Sequence, residues 1–144
     1  MAGINHAAVW LSAILYFLFG AGWYTAWSTE WIEGVGKTRE QLEQQMGGAP
    51  TAYVIAFVAA LAIAYTLARV LEKFDLRTPV RGALGGALIG LGFIGAAIAT
   101  NYGFEARPLS LWLINTGYVV IGMAIMGAII GPWRKKKRVT VPLA

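Results

Sequence analysis

Residues 82–133, GALGGALIGLGFIGAAIATNYGFEARPLSLWLINTGYVVIGMAIMGAIIGPW, contain two long apolar runs separated by the short polar segment Glu105-Ala106-Arg107-Pro108. Each run, 82–104 and 109–133, exceeds the ~20 apolar residues that an α-helix needs to cross a hydrocarbon core of ~30 Å. Pro108 suits the start of the second helix, because a residue of the first turn does not need its backbone N–H. The stretch therefore predicts two membrane-spanning helices joined by a tight hairpin.

Two further apolar runs precede this hairpin, at 4–27 and 52–68, and the second of them is short unless Arg69 extends to the headgroups. The chain of 144 residues is 58% hydrophobic and 13% charged, with a mean hydropathy of +0.60, whereas soluble domains carry about 25% charged residues. A cleaved signal peptide at the N-terminus is disfavoured, since no basic residue precedes the first run. We expect an all-α integral membrane bundle of four transmembrane helices in one domain, 1–133, with a basic tail at 134–144.

The basic residues of the chain are unevenly distributed. Nine lie in the segment 69–81 and the tail, and three lie in the first and third connections. Since Lys and Arg favour cytoplasmic connections, both termini are predicted to be cytoplasmic in a multi-pass protein of the cytoplasmic (inner) membrane. The tail block is expected to contact lipid headgroups and not nucleic acid; it consists of Arg134, Lys135, Lys136, Lys137 and Arg138.

The chain offers few residues for covalent or metal chemistry. It has no cysteine and one histidine, His6, which excludes disulfides, thiolate ligands and a histidine-rich metal centre within one chain. The spans lack a paired-carboxylate or nucleophile–base arrangement. We therefore expect no catalytic residue, no metal and no cofactor. His6 is interpreted as an interfacial hydrogen-bonding residue in preference to a proton relay, and Tyr16 is expected to bond across helices.

The first loop has helical signals of its own. Thr38 and Gln41 have the spacing of a capping box, and Leu42 and Met46 share one helix face. These signals predict a short helix outside the membrane at Arg39 to Met46. The indole rings of Trp27 and Trp31 are expected to lie at the membrane interface.

Small residues recur along the last two spans at helical spacing, which allows a neighbouring backbone to approach closely. In the third span Gly82, Gly86 and Gly90 share one face. In the fourth span the small residues share one face of the helix, and Asn115 lies on the opposite face. The fourth helix is thus expected to lie between two partners. The predicted helix-packing residues are Gly82, Gly86, Gly90, Gly117, Ala124 and Ala128.

With both termini inside, polar and aromatic residues of three spans collect at the outer end of the bundle. Extending the glycine face of the third span through Phe93 and Ala97 places Asn101 toward protein. Two interpretations remain open: the rim of a ligand pocket, or a structural cluster that ties the hairpin down, which we favour. The predicted members are Trp23, Tyr24, Asn101, Glu105, Arg107 and Asn115.

The chain resembles the bacterial membrane family known as domain of unknown function 1761. The shared features are a Trp-Tyr pair after the first span, a Phe-Glu-x-Arg-Pro hairpin, an Ile-Asn-x-Gly-Tyr stretch and a Gly-Ala-Ile run before a tryptophan. They occupy Trp23, Tyr24, Phe104, Glu105, Arg107, Pro108, Ile114, Asn115, Gly117, Tyr118, Gly127, Ala128, Ile129 and Trp133. The resemblance implies four spans and supplies no catalytic residue. Where the family continues with Ser-Pro, this chain has Thr25-Ala26-Trp27-Ser28, so its first loop is expected to begin differently.

Three classes of function fit this sequence to different degrees. The favoured one is a non-catalytic protein that acts through helix packing, as an accessory subunit of a larger membrane complex or as a homo-oligomer. The alternative is a small-solute channel or transporter that uses the outer polar cluster, and an intramembrane enzyme ranks third. The expected partners are membrane lipids and other membrane subunits or copies of the same chain, with no nucleic acid.

Overall fold

A computed structural model describes residues 3–45 and 49–133, which form helices and no strand. The elements are α1 (His6–Ala26), α2 (Ser28–Val35), α3 (Arg39–Gln45), α4 (Ala49–Lys73), α5 (Pro79–Ile89), a π-helical segment (Gly90–Gly95), α6 (Ala96–Phe104) and α7 (Leu109–Ile130). α5, the π segment and α6 together form the third long helix. Four helices are long and apolar enough to cross a membrane: His6–Ala26, Pro50–Lys73, Pro79–Phe104 and Leu109–Ile130. The predicted all-α membrane bundle is confirmed.

The short helix predicted in the first loop is present as α3, and the capping box that predicts it is formed. The Gln41 backbone N–H donates to the Thr38 hydroxyl at 3.2 Å, and the Gln41 side chain accepts from the Thr38 backbone N–H at 2.9 Å. Met46 and the basic block 134–138 lie outside the described residues. A second loop helix, α2, precedes α3 and was not predicted. It begins one residue after Trp27, which ends α1.

The helix α7 is the centre of the bundle, because it packs against α1, α2, α4 and the third long helix. Its buried residues cover a wider arc of the helix than those of α1, which lie in one stripe. Those of α7 are Leu111, Ile114, Thr116, Val119, Gly122, Met123, Met126, Gly127 and Ile130. Leu67 and Leu71 of α4 are almost completely buried and complete this core.

α5 touches α7 backbone to backbone, which only residues without a side chain permit. A Cβ at Gly82 would collide with the Gly127 carbonyl oxygen, and a Cβ at Gly127 would collide with the carbonyl of Gly82. One turn along, Gly86 lies equally close to the Met123 carbonyl. The contact on α7 thus involves Met123 and Gly127, together with the backbone nitrogen of Ala124, which a Cβ at Gly86 would meet at 3.3 Å. The Ala124 and Ala128 side chains are half-buried.

α1 packs on the other side of α7 through aromatic rings that lie on glycines. The Tyr118 ring lies on Gly20 of α1, and the Tyr16 ring lies on Gly122 of α7, so each helix provides one ring and one glycine. A Cβ at Gly117 would come within 3.1 Å of the Trp23 ring. Gly117, predicted with the packing residues, therefore faces α1 and not α5.

The π segment changes which face of the third long helix meets α7. Gly82, Gly86 and Gly90 face α7 at four-residue steps, and the next glycine on that face is Gly95, five residues later, where a Cβ would meet the Thr116 methyl group at 2.7 Å. A π turn contains one residue more than an α turn. Every residue of α6 is thus rotated about the helix axis by about one residue, or ~100°, relative to its position in an uninterrupted α-helix.

We predict that Gly86→Ala destabilises the protein, whereas Gly22→Ala does not. The added methyl group at position 86 meets a backbone carbonyl that cannot move aside, and such overpacking costs about 1–3 kcal/mol. Gly22 lies in the helix α1 with nothing within 4 Å of an added Cβ, so the higher helix propensity of alanine applies there, worth up to about 1 kcal/mol.

The measurement is the thermal unfolding midpoint of both variants in the same detergent. The Gly86 variant should unfold at a lower temperature than the wild type, and the Gly22 variant at the same or a higher one. Equal midpoints for the two variants would contradict the close contact of α5 with α7.

Candidate functional site

Asn115 of α7 lies at the centre of a polar cluster that joins four helices. Its Oδ1 atom accepts hydrogen bonds from the Tyr24 hydroxyl of α1, at 2.9 Å, and from the Trp31 indole N–H of α2, at 3.2 Å. Its Nδ2 atom donates to the Tyr102 hydroxyl of α6 at 2.7 Å. We call these four residues the Asn115 cluster. One amide therefore connects the central helix to three others.

The aromatic members of the Asn115 cluster suit this position because each combines an apolar ring with one polar atom. The Tyr24 ring packs edge-on against Trp31, with centroids 5.9 Å apart, and against Tyr118 at 5.2 Å. Beside them, the Trp23 indole donates to the backbone carbonyl of Ile114 at 3.0 Å. The rings pack together and thus hold the polar atoms away from the surrounding hydrocarbon.

The helix α2 is held on α7 by a further close contact. Gly34 is buried, and a Cβ there would meet the Leu111 side chain at 3.0 Å. Gly36 then ends the helix in the left-handed conformation, with φ of 72°, which suits glycine. This geometry brings the last carbonyl of α2, that of Val35, to the hairpin between α6 and α7.

The hairpin between α6 and α7 is fixed by its backbone and by one ion pair. Ala106 adopts φ of 52°, and the Arg107 N–H donates to the Tyr102 carbonyl at 2.9 Å, as in a Schellman motif. The Arg107 side chain then pairs with Glu105 at 3.0 Å and donates to the Val35 carbonyl at 2.6 Å. Arg107 thus ties the hairpin to the first loop.

The structure brings together most, but not all, of the residues predicted for this cluster. Trp23, Tyr24 and Asn115 meet as described, and Glu105 and Arg107 form their pair at the adjoining hairpin. Asn101 is exposed, and its side chain has no hydrogen-bond partner among the described residues. Tyr102 takes the place expected for Asn101, because the π segment advances the helix phase by one residue.

Tyr102 and Trp31 are members of the Asn115 cluster that the predicted set omits. Both are aromatic residues near the ends of apolar segments, where tyrosine and tryptophan are enriched in membrane proteins, and this is the signal that could have identified them. That enrichment places them at the interface but does not name their partners. The contacts with Asn115 depend on the three-dimensional arrangement.

The polar atoms of the Asn115 cluster satisfy one another. Both the oxygen and the nitrogen of the Asn115 amide are engaged, although each interhelical hydrogen bond in a membrane contributes only about 0.6 kcal/mol on average. An unsatisfied polar group in hydrocarbon costs several kcal/mol. The complete set of hydrogen bonds therefore contributes more to stability than any single bond, because it leaves none of these polar groups unsatisfied. The arrangement is suited to holding α2 and α6 in place.

His6, predicted to be an interfacial hydrogen-bonding residue, lies at the opposite end of α1 from Tyr24. Its Nδ1 atom is 3.0 Å from the Tyr65 hydroxyl of α4, near the start of α1. The two rings also contact each other, with centroids 5.7 Å apart. His6 therefore links the helices α1 and α4.

We predict that Asn115→Ala lowers the stability of the protein and that Asn101→Ala changes it little. The first variant leaves the Tyr24 hydroxyl and the Trp31 N–H without their shared acceptor, at an expected cost of about 1–3 kcal/mol. The second removes an exposed amide that bonds to none of the described residues. Thermal unfolding of the two purified monomeric variants in detergent measures the difference, and an unfolding midpoint of Asn115→Ala equal to that of the wild type would refute the role of the cluster.

Comparison with known proteins identifies a family but no individual relative. The sequence model described as "Protein of unknown function (DUF1761)" matches residues 7–131, which include the four long helices except for His6, and the whole Asn115 cluster. Neither the curated proteins nor the solved structures give a match. Since the matched region covers most of the chain, the protein belongs to the DUF1761 family.

Proposed function

We propose that the protein is a non-catalytic membrane protein that acts by packing against another membrane subunit or against copies of itself. The observation that carries this proposal is the exposure of α6, none of whose residues is buried. Ala97, Thr100, Asn101 and Phe104 share one side of this helix at three- and four-residue steps, and we call them the α6 outer face.

The α6 outer face differs from the exposed side of α5, which belongs to the same long helix. The exposed residues of α5 include large aliphatic ones such as Leu84 and Leu88, with 65% and 72% of their surface accessible. Such residues are suited to contact lipid chains. On α6 the corresponding side carries the small or polar residues Ala97, Thr100 and Asn101 and ends at the exposed Phe104. The small residues permit close approach of another helix, and the Asn101 amide offers a hydrogen bond.

Asn101 is the residue of the α6 outer face that most requires a partner. The neighbouring Thr100 hydroxyl donates to the Ala96 carbonyl at 3.1 Å and is satisfied within the helix. The Asn101 amide bonds to no described residue, and hydrocarbon provides neither donor nor acceptor. A polar side chain on a second helix would satisfy it.

A small-solute channel or transporter, the alternative expected from the sequence, receives less support. Such a role would use the Asn115 cluster to bind or conduct the solute. The Asn115 amide instead bonds to tyrosine and tryptophan side chains of the same chain. A solute would have to displace these bonds, and this favours a structural role for the cluster.

The proposed membrane is the cytoplasmic one, with both termini in the cytoplasm. The distribution of basic residues supports this orientation, since Arg69, Lys73, Arg77 and Arg81 all lie in the connection that follows α4 or beside it. The Asn115 cluster and the first loop would then lie at the outer end of the bundle.

The packing proposal is tested by native mass spectrometry of the protein released gently from its own membrane. We expect release in a complex of fixed stoichiometry, either with other subunits or with copies of the same chain. Asn101→Leu should reduce this association without lowering the unfolding temperature of the released monomer. Release of the wild type as a monomer, or an undiminished complex with the variant, would refute the proposal.

The orientation is tested separately with single cysteines, which this cysteine-free chain makes simple. Glu43 of α3 and Arg77 in the connection between α4 and α5 are both exposed. In intact cells, a membrane-impermeant maleimide should label Glu43→Cys and label Arg77→Cys only after lysis. The opposite pattern would reverse the proposed orientation.

A further inference from the structure

An open cleft lies between α6 and the beginning of α7, beside the α6 outer face and separate from it. Its volume is about 350 Å³, within the ~300–1,000 Å³ range of small-molecule sites. The cleft is lined by Ala99, Tyr102, Gly103, Arg107, Pro108, Leu109 and Trp112.

The walls of the cleft are apolar. An added Cβ at Gly103 would meet nothing within 4 Å, so this glycine leaves open space where most residues would fill it. Across from it lie Leu109 and Trp112. The Trp112 indole N–H already donates to the Gly95 carbonyl at 2.9 Å, and the ring therefore presents mainly its apolar surface.

The hydrogen-bond donor at the rim of the cleft is the guanidinium group of Arg107. The Tyr102 hydroxyl belongs to the Asn115 cluster, where it accepts from the Asn115 amide at 2.7 Å. Arg107 uses its Nε atom for Glu105 and its Nη1 atom for the Val35 carbonyl, and a guanidinium carries five N–H groups in all. The remaining N–H groups bond to no other described residue.

The positions of these groups along the bundle match the two parts of a lipid. Arg107 lies in the turn that joins two long apolar helices, at the level where headgroups are found, whereas Trp112 lies about one helical turn inside α7. Arginine binds phosphate through charge-assisted hydrogen bonds. Since Glu105 and Val35 already hold the Arg107 side chain, little conformational entropy would be lost on binding.

We propose that this cleft binds one phospholipid molecule. Its phosphate group accepts hydrogen bonds from Arg107, and one of its acyl chains lies along Gly103, Leu109 and Trp112. This inference goes beyond the proposed packing function and does not depend on it, because the cleft and the α6 outer face lie on different sides of the helix.

The test uses the purified full-length chain in detergent, titrated with phosphatidylglycerol or with diacylglycerol of the same acyl chains and followed by native mass spectrometry. We expect one phosphatidylglycerol to bind at least about tenfold more tightly than diacylglycerol, since the second lacks the phosphate, and tenfold in affinity corresponds to about 1.4 kcal/mol. Equal binding of the two lipids would overturn the proposal. This comparison needs no variant.

A pair of variants tests the position of the site. Gly103→Leu places a side chain in the cleft and should weaken phosphatidylglycerol binding by at least about tenfold, the same 1.4 kcal/mol. Gly22→Leu, on α1, also enters open space but does not line the cleft, and this variant should bind the lipid as the wild type does. Unchanged binding by the Gly103 variant, or equal weakening by both variants, would place the lipid elsewhere and overturn the assignment.

Discussion

The contact of α5 with α7 at Gly82 and Gly86 is the constraint on which the rest of the structure depends. Because these glycines have no Cβ, the two backbones approach directly, and α7 is held in the middle of the bundle. α1 then packs on the opposite side of α7 through tyrosine rings on glycines. With α7 central, its residue Asn115 can reach helices on several sides. The Asn115 cluster is thus a consequence of the glycine contact as well as of its own hydrogen bonds.

Because of the π segment at Gly90–Gly95, the third long helix turns a different face to α7 before the segment than after it. Before the segment, glycines meet α7 every four residues; after it, one extra residue turns Tyr102 toward Asn115 and Asn101 away from it. A π turn is an energetically unfavourable interruption that occurs often at functional sites. Here it gives α6 an inner side that bonds within the chain and an outer side whose Asn101 amide has no hydrogen-bond partner among the described residues.

Arg107 has a structural role in the hairpin and also lies at the proposed lipid-binding cleft. It ties the hairpin to the first loop through Glu105 and the Val35 carbonyl, and the same side chain lies at the rim of the lipid cleft. The proposed lipid and the proposed protein partner would occupy adjacent sides of α6. A lipid bound beside the α6 outer face would also extend the apolar surface that a neighbouring helix meets.

The sequence by itself determined the four spans, because length and hydropathy are properties of a continuous segment, and it determined α3, because a capping box is local. It also indicated which residue types gather near the hairpin. Only the tertiary structure decided that Tyr102 and not Asn101 meets Asn115, since a π turn has no reliable sequence signal and changes the phase of all that follows. The partner of each glycine was likewise decided by packing: Gly117 lies under Trp23, and Gly86 lies on Met123. Periodicity shows that a helix face is small, but the choice of neighbour depends on how all the helices fit together.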